Sequence, residues 1–220
     1  MVSNFLGDVG TSRRGSYIIS AAELIAREGV NLQKGMTYRD TGPLLSVFLV
    51  LPRESCFRDE WDEENRHYIY EGHDSTTAES GKAADQLMMY ESGRVSDNGK
   101  FYKAAHAFID GIRKEPMRVQ VYEKLGAGVW FDKGIFELID ARRVDEGGRK
   151  VFKFHLFPIG AAEQDERMMP AAAKEEAWRH CGGRCSECGS EMGLHFAGQS
   201  GDGEVRLLCA AHGGGAVGLL

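Results

Sequence analysis

The sequence predicts an α+β fold, a curved sheet or β-barrel flanked by helices, with a small metal-bound module at the C-terminal end. Three observations support this prediction. Strand-like segments dominate the first 158 of the 220 residues, helical periodicity is confined to short segments, and four of the five cysteines lie in the last 40 residues. Strands and helices that occupy separate stretches of one chain are typical of α+β domains.

The first elements are defined by a helix cap and by apolar runs. Ser20 and Glu23 form a capping box in front of a short helix that Gly29 ends. The continuous apolar run 44–51 (LLSVFLVL) predicts a strand that is buried on both faces. The segment 67–70 (HYIY) predicts a second strand.

Helical and strand patterns then follow one another. Residues 83–90 and 100–113 carry apolar side chains at helical spacing, so both are predicted as helices. Residues 117–124 alternate, 129–141 are rich in β-forming side chains, and 149–157 mix basic and apolar residues. These last three segments predict consecutive strands.

A polar, acidic stretch without periodicity separates the front of the chain from its tail. Pro170 stands at the first position of a short predicted helix, 171–180. We therefore expect a front domain over 1–158, a linker over 159–169 and a C-terminal module over 170–220.

Composition narrows the function classes. No apolar run approaches the roughly 18 residues of a membrane span, and residues 1–14 lack the apolar core of a secretory signal. We expect a cytoplasmic protein without a membrane partner. The net charge of −6 gives no support to nucleic-acid binding, although residues 93–124 hold seven basic and four acidic side chains.

The tail contains two pairs of metal-ligand residues. Cys185 and Cys188 form one C-x-x-C pair, and Cys209 and His212 form a C-x-x-H pair after 20 intervening residues. Four sulfur and nitrogen ligands with no open position are typical of structural Zn²⁺. The alternative is four unrelated buried residues. Cys181 is out of register with both pairs, so we predict structural zinc without it.

Three segments of the tail, 183–189 (GRCSECG), 194–196 (LHF) and 205–209 (VRLLC), resemble an HNH endonuclease module. The resemblance implies a small ββα-type module held by zinc. It also implies a nuclease site, which can be checked residue by residue.

The catalytic positions of that family are altered here. Its Asp-His pair falls on Ala197 and Gly198, its central Asn on Glu204, and its final His or Asn on Gly213. Hydrolysis needs a general base and a side chain on a divalent metal, which Ala and Gly cannot supply. We expect a module that does not cut DNA. Rescue by His195 and Glu204 is the alternative.

A resemblance to a known family extends over seven segments of the front domain, which are 20–30, 47–51, 57–62, 68–74, 85–86, 129–138 and 151–156. In order and spacing these segments resemble an SRA (SET- and RING-associated) domain, the family that reads modified cytosine. Joined to an HNH-like tail, they are similar to bacterial modification-dependent restriction proteins, which implies a bacterial, nucleoid-associated protein.

The resemblance implies that 5-methylcytosine in duplex DNA is flipped into an aromatic pocket. Unstacking a base costs a few kcal/mol, and each aromatic contact returns about 1–3 kcal/mol. By resemblance, Tyr70 and Phe57 are the stacking walls, and Gly72 and His73 border the methyl group. Both aromatics are also compatible with a plain core position.

An acidic side chain is needed to accept a hydrogen bond from cytosine N4. Asp59 is the candidate, with Glu60 and Asp62 as alternatives in the same acidic stretch, which a solvated loop would also explain. We expect Asp85 and Gln86 to orient the pocket loop.

Contacts with the DNA backbone are expected from basic side chains, although a solvated helix face explains these residues equally well. The candidates are Arg94, Lys100, Lys103, Arg113 and Lys114. The stretch 74–82 has no Arg where eukaryotic readers carry a basic finger, which predicts little dependence on sequence context.

The sequence leaves several alternatives open. The preferred modification could be 5-methyl, 5-hydroxymethyl or glucosylated cytosine, and the chain could act as a monomer or a homodimer. The competing function is a modification-dependent endonuclease that cuts near the methylated base.

Overall fold

The computed structural model describes a mixed α+β protein. The described residues are 17–51, 59–62, 64–74, 84–159, 169, 171–198 and 205–212. None of the helices in these ranges is long and apolar enough to cross a membrane.

Ten strands and three helices are formed by the described residues. The helices are α1 (Ala21–Glu28), α2 (Asp97–Ile109) and α3 (Ala171–Cys181). The strands are β1 (Ile18–Ser20), β2 (Met36–Thr37), β3 (Ser46–Val50), β4 (Glu60–Asp62), β5 (His67–Glu71), β6 (Met117–Gly126), β7 (Val129–Glu146), β8 (Arg149–Pro158), β9 (Leu194–Gly198) and β10 (Val205–Cys209).

The main sheet has the order β2-β3-β6-β7-β8-β5-β4, and β1 pairs with β7 beside this path. All neighbours are antiparallel except β3 and β6, which are parallel. Register shifts interrupt the β6–β7 ladder and, after Leu138, the β7–β8 ladder. Such shifts bend strands and increase their twist, so the long strands β7 and β8 curve across the sheet.

The main core lies between this sheet and α2. Phe101 of α2 packs against Phe48 at 4.5 Å and Phe154 at 6.0 Å between ring centroids. Every residue of β3 is buried, as the continuous apolar run predicted. Phe152 and Tyr70 extend the same cluster toward the end of β5.

Local signals predicted the first helix correctly. The Ser20 side chain accepts from the Glu23 amide, and the Glu23 carboxylate accepts from the Ser20 amide, so the capping box is complete. Gly29 ends α1 with φ of 59°, in the left-handed region. The helix predicted over 100–113 forms as α2, which begins earlier because Ser96 caps it.

The helix predicted over 83–90 is wrong. The described part, 84–90, is irregular, because its polar groups bond to other elements. The Gln86 amide donates to the Lys150 carbonyl at 2.8 Å, and Met89 forms an isolated bridge with Val95. Hydrogen bonds between this backbone and distant segments therefore determine its conformation, although its apolar side chains have helical spacing.

The tail packs directly on the main sheet. Leu125 and Phe131 of the sheet share one buried cluster with Ala177 of α3, Phe196 of β9 and Leu207 of β10. The rings of Phe131 and Phe196 meet edge to face at 5.6 Å. The contact between the tail and the sheet is thus apolar on both sides, and the domain division stays a prediction.

A buried charge also joins α3 to the sheet. Lys174 has a fully buried side chain that forms an ion pair with the buried Glu123. Lys133 lies 3.9 Å from the same carboxylate, and the Tyr68 hydroxyl donates to it at 2.9 Å. The Glu123 carboxylate is therefore shared by two cations, Lys174 and Lys133. The Lys174 ammonium also lies 4.2 Å from the ring centroid of Phe131.

Candidate functional site

The segment 71–74, at the end of β5, is fixed by two buried amide side chains. Asn98 accepts from the His73 amide and donates to the His73 carbonyl, both at 2.8 Å. Gln86 donates to the Gly72 carbonyl at 2.6 Å and accepts from the Phe152 amide at 2.8 Å. Gln86 orients this loop as the sequence predicted. Asn98 was missed, because it lies 25 residues from His73 and belongs to α2.

Gly72 is a position where a side chain does not fit. A Cβ atom there would lie 2.5 Å from the Gln86 Oε1, 2.8 Å from the Asn98 Oδ1 and 2.9 Å from the Phe152 Cβ. Real Cβ contacts are longer than this, so the two amides can hold the segment only because residue 72 is glycine.

Ion pairs tie the same segment to β8. Arg149 donates to Asp74 at 2.6 Å and to Glu71 at 2.8 Å, and all three side chains are largely buried. Lys153 lies 3.4 Å from the Glu71 carboxylate. Charged groups with complementary partners at both ends hold the segment in one conformation.

Asp59 lies under this segment, between β3 and β5. Its carboxylate accepts from the Glu71 amide at 2.9 Å and from the Leu51 amide at 3.2 Å, and the residue is 8% exposed. Burial raises the pKa of Asp59 to about 7, with a further rise from Glu71, against the two amide bonds and Lys153, which lower it. The carboxyl therefore titrates near neutral pH.

The two alternative acidic residues have other positions. Glu60 is exposed on the edge strand β4, opposite Ile69. Asp62 accepts from the backbone and side-chain amides of Asn65 at 2.9 Å, which caps a turn. Of the three, Asp59 is the one whose carboxylate is bonded to the 71–74 segment.

A cavity of about 250 Å³ opens beside His73. Burial lowers the pKa of His73, although Asp74 and Asp97 oppose this, so the imidazole is neutral at neutral pH. The wall of the cavity is formed by Lys34, Met36, His73, Asp74, Leu87, Tyr90, Arg94, Ser96, Asp97 and Asn98. Its polar groups include both donors and acceptors.

The two predicted stacking aromatics have different outcomes. Phe57 lies outside the described residues. Tyr70 is 5% exposed and packs edge to face on Phe48, with ring centroids 4.8 Å apart. This is the core position that the sequence left open as an alternative, so contact between Tyr70 and a base stays a prediction.

The predicted phosphate contacts do not form a single patch. Arg94 lies three residues before α2, Lys100 lies in its first turn, and Lys103 is exposed one turn later. Arg113 follows the other end of this 13-residue helix, which is about 20 Å long at 1.5 Å per residue. Lys114, next to it, is also exposed. The structure thus separates the candidates into two groups.

The four predicted metal ligands come together in the tail. One donor atom from each of Cys185, Cys188, Cys209 and His212 lies within 4.8 Å of the other three. The Sγ atoms of Cys188 and Cys209 are 3.7 Å apart, and Cys209 Sγ is 3.4 Å from His212 Nδ1. A tetrahedral zinc ion with ordinary bond lengths needs about 3.8 Å between sulfurs and about 3.5 Å between sulfur and nitrogen, so the donor set fits this ion.

The altered nuclease positions are partly described. Ala197 and Gly198 end β9 and line a cavity of about 390 Å³ together with Glu187, Arg206 and His212. His195 lies on β9, paired with Leu208. Glu204 and Gly213 lie outside the described residues, as does any helix after residue 212.

No family model and no curated protein match the chain. Among solved structures, it is similar to a SUVH5 SRA complex with hemimethylated CG DNA, at 20% identity and a TM-score of 0.48, over 72% of this chain and 96% of that one. The chain is also similar to SUVH5 SRA bound to fully hydroxymethylated CG DNA, at 18% identity and a TM-score of 0.48, over 70% of this chain and 95% of that one.

A third similar structure is the DNA modification-dependent restriction endonuclease AspBHI, at 17% identity and a TM-score of 0.45, over 71% of this chain and 74% of that one. At these values, what those proteins bind or cut does not transfer to this chain.

Proposed function

We propose that this protein binds double-stranded DNA that contains 5-methylcytosine, flips the modified base into a pocket and leaves the strand intact. The observation that carries the proposal is the fixed 71–74 segment. Its sequence resembles the base pocket of SRA domains, and it lies between a buried carboxyl, Asp59, and an open cavity beside His73.

Base flipping requires a pocket that is already formed. Unstacking and unpairing cost a few kcal/mol, and a pocket that first had to be ordered would add to this cost. Gln86 and Asn98 hold the backbone of Gly72 and His73 through three hydrogen bonds, and a fourth joins Gln86 to the side chain of the neighbouring Asp74. The 71–74 segment is therefore already ordered in the folded protein, so DNA binding does not have to order it.

Asp59 supplies the acceptor for the exocyclic amino group. Each carboxylate oxygen uses one lone pair on a backbone amide, and the remaining lone pairs can accept from cytosine N4. Tyr70 and Phe57 are the proposed stacking walls, as the resemblance implies. Gly72 and His73 border the C5 substituent.

Phosphate contacts hold the duplex against this site. Arg94 lines the cavity and Lys100 pairs with Asp97 of its wall, and Lys103 and Arg113 contact phosphates farther along the duplex. Four such contacts correspond to a slope of about −3.6 in log affinity against log salt. Base context is read weakly, because no arginine follows Asp74 up to residue 82.

The C-terminal module has a structural role in this proposal. Cys185, Cys188, Cys209 and His212 would hold Zn²⁺, which supplies folding energy to a small module. Ala197 and Gly198 offer neither a general base nor a metal ligand, so the module does not cleave DNA.

The test is a gel-shift titration of one duplex with and without a single 5-methylcytosine, in the presence of Mg²⁺ or Mn²⁺, followed by a denaturing gel. We expect at least tenfold tighter binding of the methylated duplex and intact strands. Equal binding of both duplexes would contradict the reader function. Cut strands would instead establish a modification-dependent endonuclease that uses His195 or Glu204.

A matched pair of variants assigns the binding to the pocket. Asp59→Ala removes the proposed N4 acceptor and should abolish the preference for the methylated duplex. Glu60→Ala changes the neighbouring exposed carboxylate and should retain it. The reverse result would move the acceptor to Glu60.

A further inference from the structure

The cavity beside His73 is larger than a methyl group requires. Its volume is about 250 Å³, and because a water's share of the liquid volume is about 30 Å³, it has room for about eight waters. Under the proposed function, the C5 methyl borders Gly72 and His73 and replaces about one of them. Space therefore remains beyond the methyl group for a larger C5 substituent.

The wall of this cavity is formed before any ligand binds. Lys34 belongs to a turn in which its amide donates to the Asn31 carbonyl at 3.0 Å. A Cβ atom on Gly35 would lie 2.7 Å from the Tyr70 hydroxyl oxygen, so this turn packs directly on the core. His73, in another part of the wall, has its backbone fixed by two hydrogen bonds.

The charges of the wall favour a neutral ligand over an anion. Asp74 and Asp97 pair with cations outside the wall, at 2.6 Å and 3.3 Å. Within the described ranges, Lys34 and Arg94 line the cavity without an ion pair. Two carboxylates and two cations on one wall cancel in net charge, but they offer both acceptors and donors of hydrogen bonds.

The remaining wall residues suit a ligand that has hydroxyl groups on an apolar frame. The neutral imidazole of His73 can donate to a hydroxyl or accept from one. Leu87 and the ring of Tyr90, which is 37% exposed, supply apolar surface. A small set of polar groups on a partly apolar wall is the usual lining of a small-molecule site, and a sugar presents both kinds of surface.

We propose that this cavity holds a sugar attached to C5 of the flipped base, so that the protein binds glycosylated 5-hydroxymethylcytosine more tightly than 5-methylcytosine. A hexosyl group takes the place of about six waters, which the cavity can accommodate. Its hydroxyls bond to Lys34, His73 and Asp97, and its C–H groups pack on Leu87 and Tyr90. This inference rests on the proposed function, because the base must first leave the duplex.

The first test compares three duplexes of one sequence that carry cytosine, 5-methylcytosine or β-glucosyl-5-hydroxymethylcytosine at a single position. Gel-shift titrations of the full chain are run at one salt concentration. We expect about tenfold tighter binding of the glucosylated duplex than of the methylated one, which corresponds to one or two added hydrogen bonds. A gain below threefold, or weaker binding, would overturn the inference.

The second test fills the cavity. Leu87→Trp enlarges a wall residue and should weaken binding of the glucosylated duplex at least tenfold, while binding of the methylated duplex stays within threefold. Leu44→Trp is the matched control, because Leu44 is 45% exposed and does not line this cavity. An equal loss on both duplexes would mean that the cavity holds the base ring, and no loss on either would mean that it holds neither group. Both results would overturn the inference.

Lys34→Ala gives an independent measurement on an exposed side chain, so folding is not at risk. It should weaken binding of the glucosylated duplex three- to tenfold and leave the other two duplexes unchanged. An equal loss on all three would assign Lys34 to a phosphate instead, against the inference.

The failure of the inference can be told from the failure of the proposed function. If the wild type prefers the methylated duplex over cytosine but gains nothing from the sugar, only the inference fails. If it prefers neither modified duplex over cytosine, the proposed function fails, and the inference fails with it.

Discussion

Replacing Lys174 with methionine tests how the tail is joined to the sheet. Methionine keeps most of the apolar stem and removes the ammonium that pairs with Glu123. Both side chains are at most 1% exposed, so water cannot replace the lost partner. The carboxylate then depends on Lys133, at 3.9 Å, and on the Tyr68 hydroxyl, at 2.9 Å.

The expected loss follows from this geometry. Removing one partner of a buried ion pair costs about 3–5 kcal/mol, because the other charge stays buried. Since Lys133 still compensates part of the Glu123 charge, we expect the lower end, about 3 kcal/mol. For a chain of this size, that loss lowers the melting temperature by about 6–12 °C.

The assay is urea denaturation of the full chain, followed by circular dichroism and by tryptophan fluorescence. Lys150→Met is the control, because Lys150 is exposed at the start of β8 and its change should stay within about 0.5 kcal/mol. A loss below about 1 kcal/mol for Lys174→Met would refute the conclusion that the buried charge holds α3 on the sheet.

Three further predictions concern the site and the metal cluster. Gly72→Ala should destabilise the protein by about 1–3 kcal/mol through overpacking, whereas Gly126→Ala, whose nearest side-chain contacts are at 3.7 Å, should cost less than about 0.5 kcal/mol in the same urea titration. Because the pKa of Asp59 is about 7, roughly one carboxyl in ten is ionised at pH 6, so the affinity ratio of methylated to unmethylated duplex should fall about tenfold from pH 8 to pH 6. Asp59→Asn should show no such fall, and a pH-independent ratio in the wild type would exclude the ionised carboxylate as the acceptor. Cys188→Ser should lose the single zinc that we expect per chain, and Cys181→Ser should retain it, as measured by metal released from the purified protein; equal metal content in both would contradict the assignment of the ligands.

Signals within a few residues predicted their elements well. The cap of α1 depends on Ser20 and Glu23, three residues apart, and both hydrogen bonds form as predicted. The two short ligand motifs of the tail also predicted a close cluster, because each pair lies within one turn of chain.

Contacts between distant segments were not predictable in the same way. Helical spacing over 83–90 gave no sign that Gln86 would bond to Lys150 and Phe152, 64 and 66 residues away. No local pattern distinguished Asn98 or Lys174 from other polar residues of the chain. Their roles depend on which elements pack together, which single-residue propensity does not encode.

The proposed base site shows the same difference between local sequence signals and contacts between distant segments. The resemblance to SRA domains implied a pocket near β5, with Asp59 as the candidate acceptor and Glu60 and Asp62 as alternatives. Only the position of Asp59 beneath the Glu71 amide separates it from Glu60 and Asp62.

The most direct test of the central claim is a crystal structure of the protein with a duplex that carries one 5-methylcytosine. We predict that the modified base lies outside the helix, with its N4 within hydrogen-bond distance of the Asp59 carboxylate and its C5 methyl beside Gly72 and His73. A methylated base that remains stacked and paired in the bound duplex would contradict the proposed mechanism.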